Sequence, residues 1–117
     1  MSTRCEIGLV EADGSIKVIY NHFDGYLDGV GRDMVCDWNS EELAREVVID
    51  KKYNQEEELY TFSNVEDWLN HLEGLDREYA YLWRNGQWEY TYCDNWHWEN
   101  KWFNVKEELD KEKWFVL

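Results

Sequence analysis

The one compact group in the sequence that could do acid–base chemistry is formed by His22, Asp24 and Tyr26. A histidine oriented by a nearby aspartate can act as a general base, so a small enzyme is one function to consider. The alternative is structural. The predicted strand that ends at His22 places this side chain on an apolar face opposite Cys5, where a hydrogen-bonded core histidine is the commoner outcome.

The cysteines offer little further chemistry. Two pairs, Cys5 with His22 and Cys93 with His97, could each supply two ligands to a metal ion. Neither pair has a second pair at usable spacing, so the sequence predicts no metal and no cofactor. A cysteine nucleophile would lack a recognisable oxyanion hole. The three cysteines, Cys36 included, have no CxxC spacing and predict reduced thiols.

Charge is the strongest global signal. The chain of 117 residues has 26 acidic against 12 basic residues, a formal net charge of −14. Such a field repels nucleic acid and anionic membranes and attracts basic surfaces. The acidic excess is greatest between residues 41 and 80, and it gives the predicted binding face Glu41, Glu42, Glu46, Glu56, Glu57, Glu58, Glu66, Asp67 and Glu73. The alternative is that these acids only keep a tryptophan-rich chain in solution.

Aromatic residues form a second candidate surface. Trp96, Trp98 and Trp102 lie close together in a polar stretch. They form either an exposed platform for a partner or the closing part of a small core. Stacking of single-stranded nucleic acid on these rings would need a basic groove, and the chain has the opposite charge.

These candidates must be positioned by a scaffold, and its best-defined part is the hairpin over residues 78–93. Asn85-Gly86 is typical of a two-residue type I′ turn, because both central residues need positive φ. That turn places three aromatic pairs on one face, with Trp83 opposite Trp88, Tyr81 opposite Tyr90 and Tyr79 opposite Tyr92. Whether this face is core or a ligand site stays open, although a helix carrying Trp68 is its natural cover.

A second hairpin is predicted over residues 4–22, with Asp13-Gly14 as its turn and Leu9 opposite Val18. We expect a short strand near 58–62 and helices near 30–38, 41–49, 64–74 and 105–113. Ser40, Ser63 and Asn104 are the predicted cap residues. Hairpins without βαβ units predict one α+β domain: a mainly antiparallel sheet with helices packed mostly on one face. The apolar C-terminal residues are expected to form an edge strand or a partner contact.

The start of the chain resembles a family of small uncharacterised phage and prophage proteins. The shared residues are Ser2-Thr3-Arg4, Ile7-Gly8, Asp13-Gly14-Ser15, Ile19-Tyr20, His22-Phe23-Asp24-Gly25-Tyr26 and Gly29-Val30-Gly31. The resemblance covers about the first third of the chain. It implies an origin in a mobile element and carries no established activity.

Three functional hypotheses follow. The first is a non-enzymatic phage-type acidic protein, of the anti-CRISPR or anti-restriction type, that mimics nucleic acid and inhibits a host defence protein with a basic nucleic-acid-binding surface. The second is a binder of a small molecule or nucleotide signal in an aromatic pocket. The third is an enzyme using His22 and Asp24. Without a signal-peptide segment or an apolar run long enough for a membrane span, we expect a protein of the host cytoplasm, and a homodimer stays open.

Overall fold

The computed structural model describes residues 3–55 and 58–116, with side chains described as far as residue 111. Its strands are β1 (Cys5–Val10), β2 (Ile16–Asn21), β3 (Leu59–Phe62), β4 (Tyr79–Arg84), β5 (Gln87–Asp94), β6 (His97–Trp98) and β7 (Phe103–Asn104). Its helices are α1 (Arg32–Asp37), α2 (Glu41–Val48), α3 (Val65–Leu72) and α4 (Val105–Val116). A π-helical turn, Leu27–Gly31, leads directly into α1.

The strands form one sheet in the order β3-β2-β1-β4-β5-β6, and β7 also pairs with β5. Every pair is antiparallel except β1 with β4, which run parallel. The predicted α+β architecture with a mainly antiparallel sheet is confirmed. The parallel pair joins the two predicted hairpins along their inner strands, a long-range contact that no local pattern indicates.

The aromatic hairpin has the predicted register. Asn85 and Gly86 both have positive φ, 54° and 75°, as a type I′ turn requires. The observed pairs are Trp83 with Trp88, Tyr81 with Tyr90, and Tyr79 with Tyr92. The inner four rings are at most 8% exposed, so this face is core and offers no open ligand site.

The first hairpin differs from the prediction by one residue. Leu9 pairs with Lys17, and Ile7 pairs with Ile19. The connection is a five-residue loop over residues 11–15, because the Asp13 carboxylate accepts hydrogen bonds from the Ser15 amide at 2.9 Å and hydroxyl at 2.7 Å. This side-chain turn replaces the predicted two-residue turn and shifts every pair.

Apolar residues cover both faces of the sheet. On one face α1, α2 and α4 pack over the aromatic hairpin and β1, with Met34, Val47 and Leu109 in the shared core. On the other face α3 packs against Ile16 and Val18 of β2 and against Ala80 and Leu82 of β4. The expectation that α3 covers the aromatic rings is therefore wrong, while the prediction of most helices on one face is confirmed.

Two contacts fix α3 on its face. The Trp68 ring lies over Gly8, where an added Cβ would sit 2.9 Å from the indole. The Trp68 Nε1–H also donates to the buried carboxylate of Glu6 at 2.8 Å, and Arg77 Nε donates to the same carboxylate at 3.0 Å. The helix begins one residue later than predicted, because Asn64 and not Ser63 caps it through the Asp67 amide.

The C-terminal third also departs from expectation in part. Asn104 caps α4 as predicted, accepting from the Glu107 amide at 2.9 Å. The helix continues to Val116, so the apolar terminal residues up to that point are helical and do not form an edge strand. The short strands β6 and β7 lie in a segment predicted as loop. None of the helices in the described ranges is long and apolar enough to cross a membrane.

Gly8→Ala should destabilise the protein by about 1–3 kcal/mol, because the new methyl group would overpack the contact with Trp68. Urea unfolding followed by tryptophan fluorescence measures the change. Gly74→Ala is the matched control, since a Cβ there meets nothing within 4 Å, and it should alter stability by less than about 0.5 kcal/mol. Equal stability of the two variants would contradict the packing described for α3.

Candidate functional site

The predicted acid–base group is not assembled. The Nδ1 atom of His22 is hydrogen-bonded to the Tyr20 hydroxyl at 2.7 Å, and the Nε of Arg4 lies 3.4 Å from the same atom. Between His22 and Asp24, both of which the structure describes, there is no hydrogen bond or ion pair. Asp24 and Tyr26 are exposed. His22 follows β2 and does not pair with Cys5, which lies opposite Asn21.

Cys5 and Cys93 have the properties of unreactive thiols, whereas Cys36 is exposed. Burial raises the pKa of Cys5 far above its usual value, and burial also raises the pKa of Cys93, with the carboxylates of Glu73 and Asp94 adding to it. Cys93 pairs with Trp98 across β5 and β6. Among the described residues no group of His, Cys, Asp and Glu is arranged to hold a metal ion.

The structure divides the predicted acidic face. Glu41, Glu42 and Glu46 are on α2, which packs on the face of the sheet that bears the aromatic hairpin. The α3 acids, Glu66, Asp67 and Glu73, belong to the helix on the opposite face and its C-terminal end. Glu58 precedes the edge strand β3, and Glu56 and Glu57 lie outside the described residues. A flat partner surface would therefore contact only one of the two helices.

Most of the described basic side chains are already paired with carboxylates elsewhere. The pairs are Arg4 with Asp76, Arg32 with Asp28, Arg45 with Glu11, Lys52 with Glu46, Arg77 with Glu6, Arg84 with Glu89, Lys106 with Asp110 and Lys111 with Glu108. Within the described ranges, Glu66 and Asp67 have no such partner. The uncompensated charge therefore includes the outer face of α3.

An open groove of about 310 Å³ runs between α3 and β6, lined by Glu66, Leu69, Asn70, Glu73, His97, Trp98 and Asn100. Glu73 connects its two walls: Oε1 accepts from the Trp98 amide at 3.3 Å and lies 3.2 Å from His97 Nδ1. No lysine or arginine is among these lining residues, all of which the structure describes. The carboxylates of Glu66 and Glu73 can accept hydrogen bonds and attract cations, and Leu69 and Trp98 are the groove's apolar lining residues.

The three candidate tryptophans have different environments, so they do not form one platform. Trp98 is only 4% exposed and belongs to the core under α3. Trp102 is half-buried, with its ring centroid 5.8 Å from that of Trp68. Trp96 is 80% exposed and is directly followed by His97 of the groove. Of the three candidate tryptophans, Trp96 alone has a largely exposed ring, and it lies in the turn directly before the groove residue His97.

The outer side of α2 is electrostatically mixed. Glu41 lines two shallow depressions, one with Arg45 and Glu11, the other with Arg84. Arg45 and Arg84 are themselves paired with Glu11 and Glu89. Among the described residues Glu41 and Glu42, like Glu66 and Asp67, have no ion-pair partner. The surface of α3 and β6 differs from that of α2 because its acids adjoin a groove whose second wall directly follows the exposed Trp96. We take the groove with Glu66, Asp67 and Trp96 as the candidate functional site.

The described depression that aromatic rings line is too small for the predicted aromatic small-molecule site. A depression of about 100 Å³ beside β5 is lined by Thr91, Tyr92, Asp94, His97, Glu99, Lys101 and Phe103. It has two aromatic rings and one lysine, but its volume is far below the several hundred Å³ typical of ligand sites. The arginine convergence that a nucleotide phosphate would need is not found there.

The chain was compared with protein-family models, with curated proteins and with solved structures, and no match was found. The candidate site is thus argued from this chain's own geometry. Sequence reasoning included Glu66, Asp67 and Glu73 but did not join them to His97 and Asn100. The link is the pairing of β6 with β5, and two-residue strands leave almost no periodic signal.

Truncation of two tryptophans that lie two positions apart should change the stability of the protein by very different amounts. Trp98→Ala should lower the free energy of unfolding by about 3–5 kcal/mol, because it empties a buried site under α3. Trp96→Ala should change it by less than about 0.5 kcal/mol, since most of that ring is already in water. Chemical denaturation of both variants measures the difference, and comparable losses would rule out the assignment of Trp96 to the surface.

Proposed function

We propose that the protein is a non-enzymatic acidic binding domain. It binds a host protein through that protein's basic nucleic-acid-binding surface and so blocks nucleic acid from binding there. The observation that supports this function best is the outer face of α3. Glu66 and Asp67 are exposed and lack a basic partner among the described residues. The open groove that Glu66 and Glu73 line adjoins them, and the exposed Trp96 directly precedes His97 of its second wall.

In this proposal the carboxylates of α3 take the positions of phosphates. Lysines and arginines that normally contact the nucleic-acid backbone would pair with them instead. The net charge of −14 would speed the encounter with a basic partner. Trp96 would supply the apolar contact area that charge pairing alone lacks, as aromatic residues commonly do at interface centres.

The cellular setting is part of the proposal. The resemblance of residues 2–31 to small phage and prophage proteins favours an origin in a mobile element. A nucleic-acid-handling defence protein of the bacterial host, of the CRISPR or restriction type, is then the natural target. The site of action would be the host cytoplasm, where reduced cysteines are stable. A homodimer would be compatible if it left the α3 surface open.

The test compares two double variants that remove the same charge from opposite faces. Glu66→Gln with Asp67→Asn acts on the first turn of α3, and Glu41→Gln with Glu42→Gln acts on the first turn of α2. Both pairs lie near a helix N-terminus in eight-residue helices, so their effects on helix stability should be similar. Immobilised protein is exposed to nuclease-treated extract of a bacterial host, and bound proteins are eluted with stepped salt.

Nucleic-acid-binding proteins should be retained by the wild type and should elute at high salt. The α3 pair should weaken their binding roughly tenfold and flatten its salt dependence, while the α2 pair should stay within about twofold of the wild type. Duplex DNA added in excess should compete for the retained protein. Binding that is indifferent to salt, or equal losses in both double variants, would exclude the proposal.

A further inference from the structure

The loop between β2 and the π-helical turn is held rigidly by hydrogen bonds to its backbone. The Gly25 amide donates to the carbonyl of Thr3 at 2.9 Å, and the Tyr81 hydroxyl donates to the Gly25 carbonyl at 2.8 Å. The Val30 amide donates to the carbonyl of Asp24 at 2.8 Å. A Cβ at Gly25 would lie 2.8 Å from the Thr3 oxygen, so the backbone passes as close as glycine allows. The loop therefore has little freedom to move.

Three side chains of this fixed loop point away from the core. Phe23 is 66% exposed, Tyr26 is 43% exposed, and Asp24 is exposed between them. Their Cα atoms lie within about 11 Å of one another, since three peptide units join Phe23 to Tyr26. The Phe23 ring packs edge-on against His22, with ring centroids 4.6 Å apart. Aromatic side chains on a fixed backbone are typical of interface anchors, because little conformational entropy is lost when they are buried.

The charge of the loop indicates what it would contact. In the part of the chain that the structure describes, Asp24 has no ion-pair partner, whereas the neighbouring Asp28 is paired with Arg32. A carboxylate near two exposed aromatic residues in the sequence suits a group that is both cationic and planar. A guanidinium can pair with the carboxylate and stack on a ring at the same time, which an ammonium does poorly.

The chain already contains one such arrangement. The Arg77 guanidinium lies 4.0 Å from the centroid of the Tyr20 ring while its Nε donates to Glu6 at 3.0 Å. That arginine is supplied by the chain itself and is partly buried. At the loop the ring and the carboxylate are both exposed, and the arginine would have to come from another molecule.

We propose that Phe23, Asp24 and Tyr26 form a second protein-binding surface, specific for an arginine side chain on a partner protein. This goes beyond the function proposed for α3, because it concerns a different surface and a preference for arginine over lysine. It also gives a role to the residues of the N-terminal motif that the fold does not use. Gly25 and Val30 serve the scaffold, whereas Phe23, Asp24 and Tyr26 face outward.

The experiment uses the full chain and two nine-residue probe peptides, one alternating arginine with glycine and the other alternating lysine with glycine. Binding is measured at low salt, and the site is mapped by NMR shifts of backbone amides. The arginine peptide should bind several-fold more tightly than the lysine peptide and shift amides of residues 22–27. Phe23→Ala, Tyr26→Ala and Asp24→Asn should each weaken it about threefold and reduce the preference for arginine.

The controls separate this surface from the rest of the acidic protein. Tyr92 is 45% exposed, about as much as Tyr26, but it belongs to β5 and not to the loop. Tyr92→Ala should therefore leave the affinity unchanged. Asp24→Asn keeps the local backbone, because asparagine tolerates the positive φ of 54° at this position. Glu66→Gln with Asp67→Asn should leave the preference for the arginine peptide unchanged, whether or not α3 binds a basic partner. Equal affinity for both peptides, shifts that map to α3, or an equal loss in Tyr92→Ala would overturn the inference.

Discussion

The contact on which the rest of the structure depends is the one between Trp68 and Glu6. A carboxylate that is 2% exposed is stable in a protein only if its oxygens are bonded and its charge is balanced. The Trp68 indole occupies one oxygen and Arg77 the other. His71, which like Trp68 belongs to α3, lies 3.8 Å from Glu6 Oε2, so α3 contacts this carboxylate through two side chains.

Trp68 is fixed both by its hydrogen bond to Glu6 and by the space above Gly8, and this defines the position of α3 on the sheet. The direction of Glu66 and Asp67 follows from that position.

A sheet that is apolar on both faces needs a cover on both. The shifted register of β1 and β2 places Ile19 on the face of the aromatic hairpin and leaves Ile16 and Val18 on the other. The helices α1, α2 and α4 cover the first face, and α3 with Trp98 covers the second. This arrangement explains why the acidic residues of the middle segment are separated. The two helices that carry most of them are required on opposite sides of the same sheet.

The sequence predicted the elements whose causes are local. The aromatic hairpin was right in register because Asn85-Gly86 leaves one turn geometry and every ring then falls on one side. The two-residue turn predicted from Asp13-Gly14 was wrong, because a hydrogen bond to the Asp13 side chain closes a longer loop. Aspartate followed by glycine is typical of both kinds of turn. The face covered by α3 could not be derived, since it depends on the parallel pairing of β1 with β4 across some seventy residues of sequence.

The candidate groove could not be predicted for the same reason. Its acids were identified by type, but its second wall comes from the two-residue strand β6, which only the folded sheet positions.

The separation of the acids has an electrostatic consequence. The Cα framework measures 26 Å along its shortest axis, and at physiological salt the Debye length is about 8 Å. Charges on α2 are therefore largely screened from a partner seated on α3, and only carboxylates on the contacted side add to the strength of binding. The full charge of −14 acts earlier, during the approach, when the whole molecule is seen from a distance at low ionic strength. Encounter rate and bound-state affinity are thus governed by different residues. A partner that selects the α3 side must do so through short-range features, and the groove beside Glu66, with Trp96 in the turn that precedes its second wall, supplies such features.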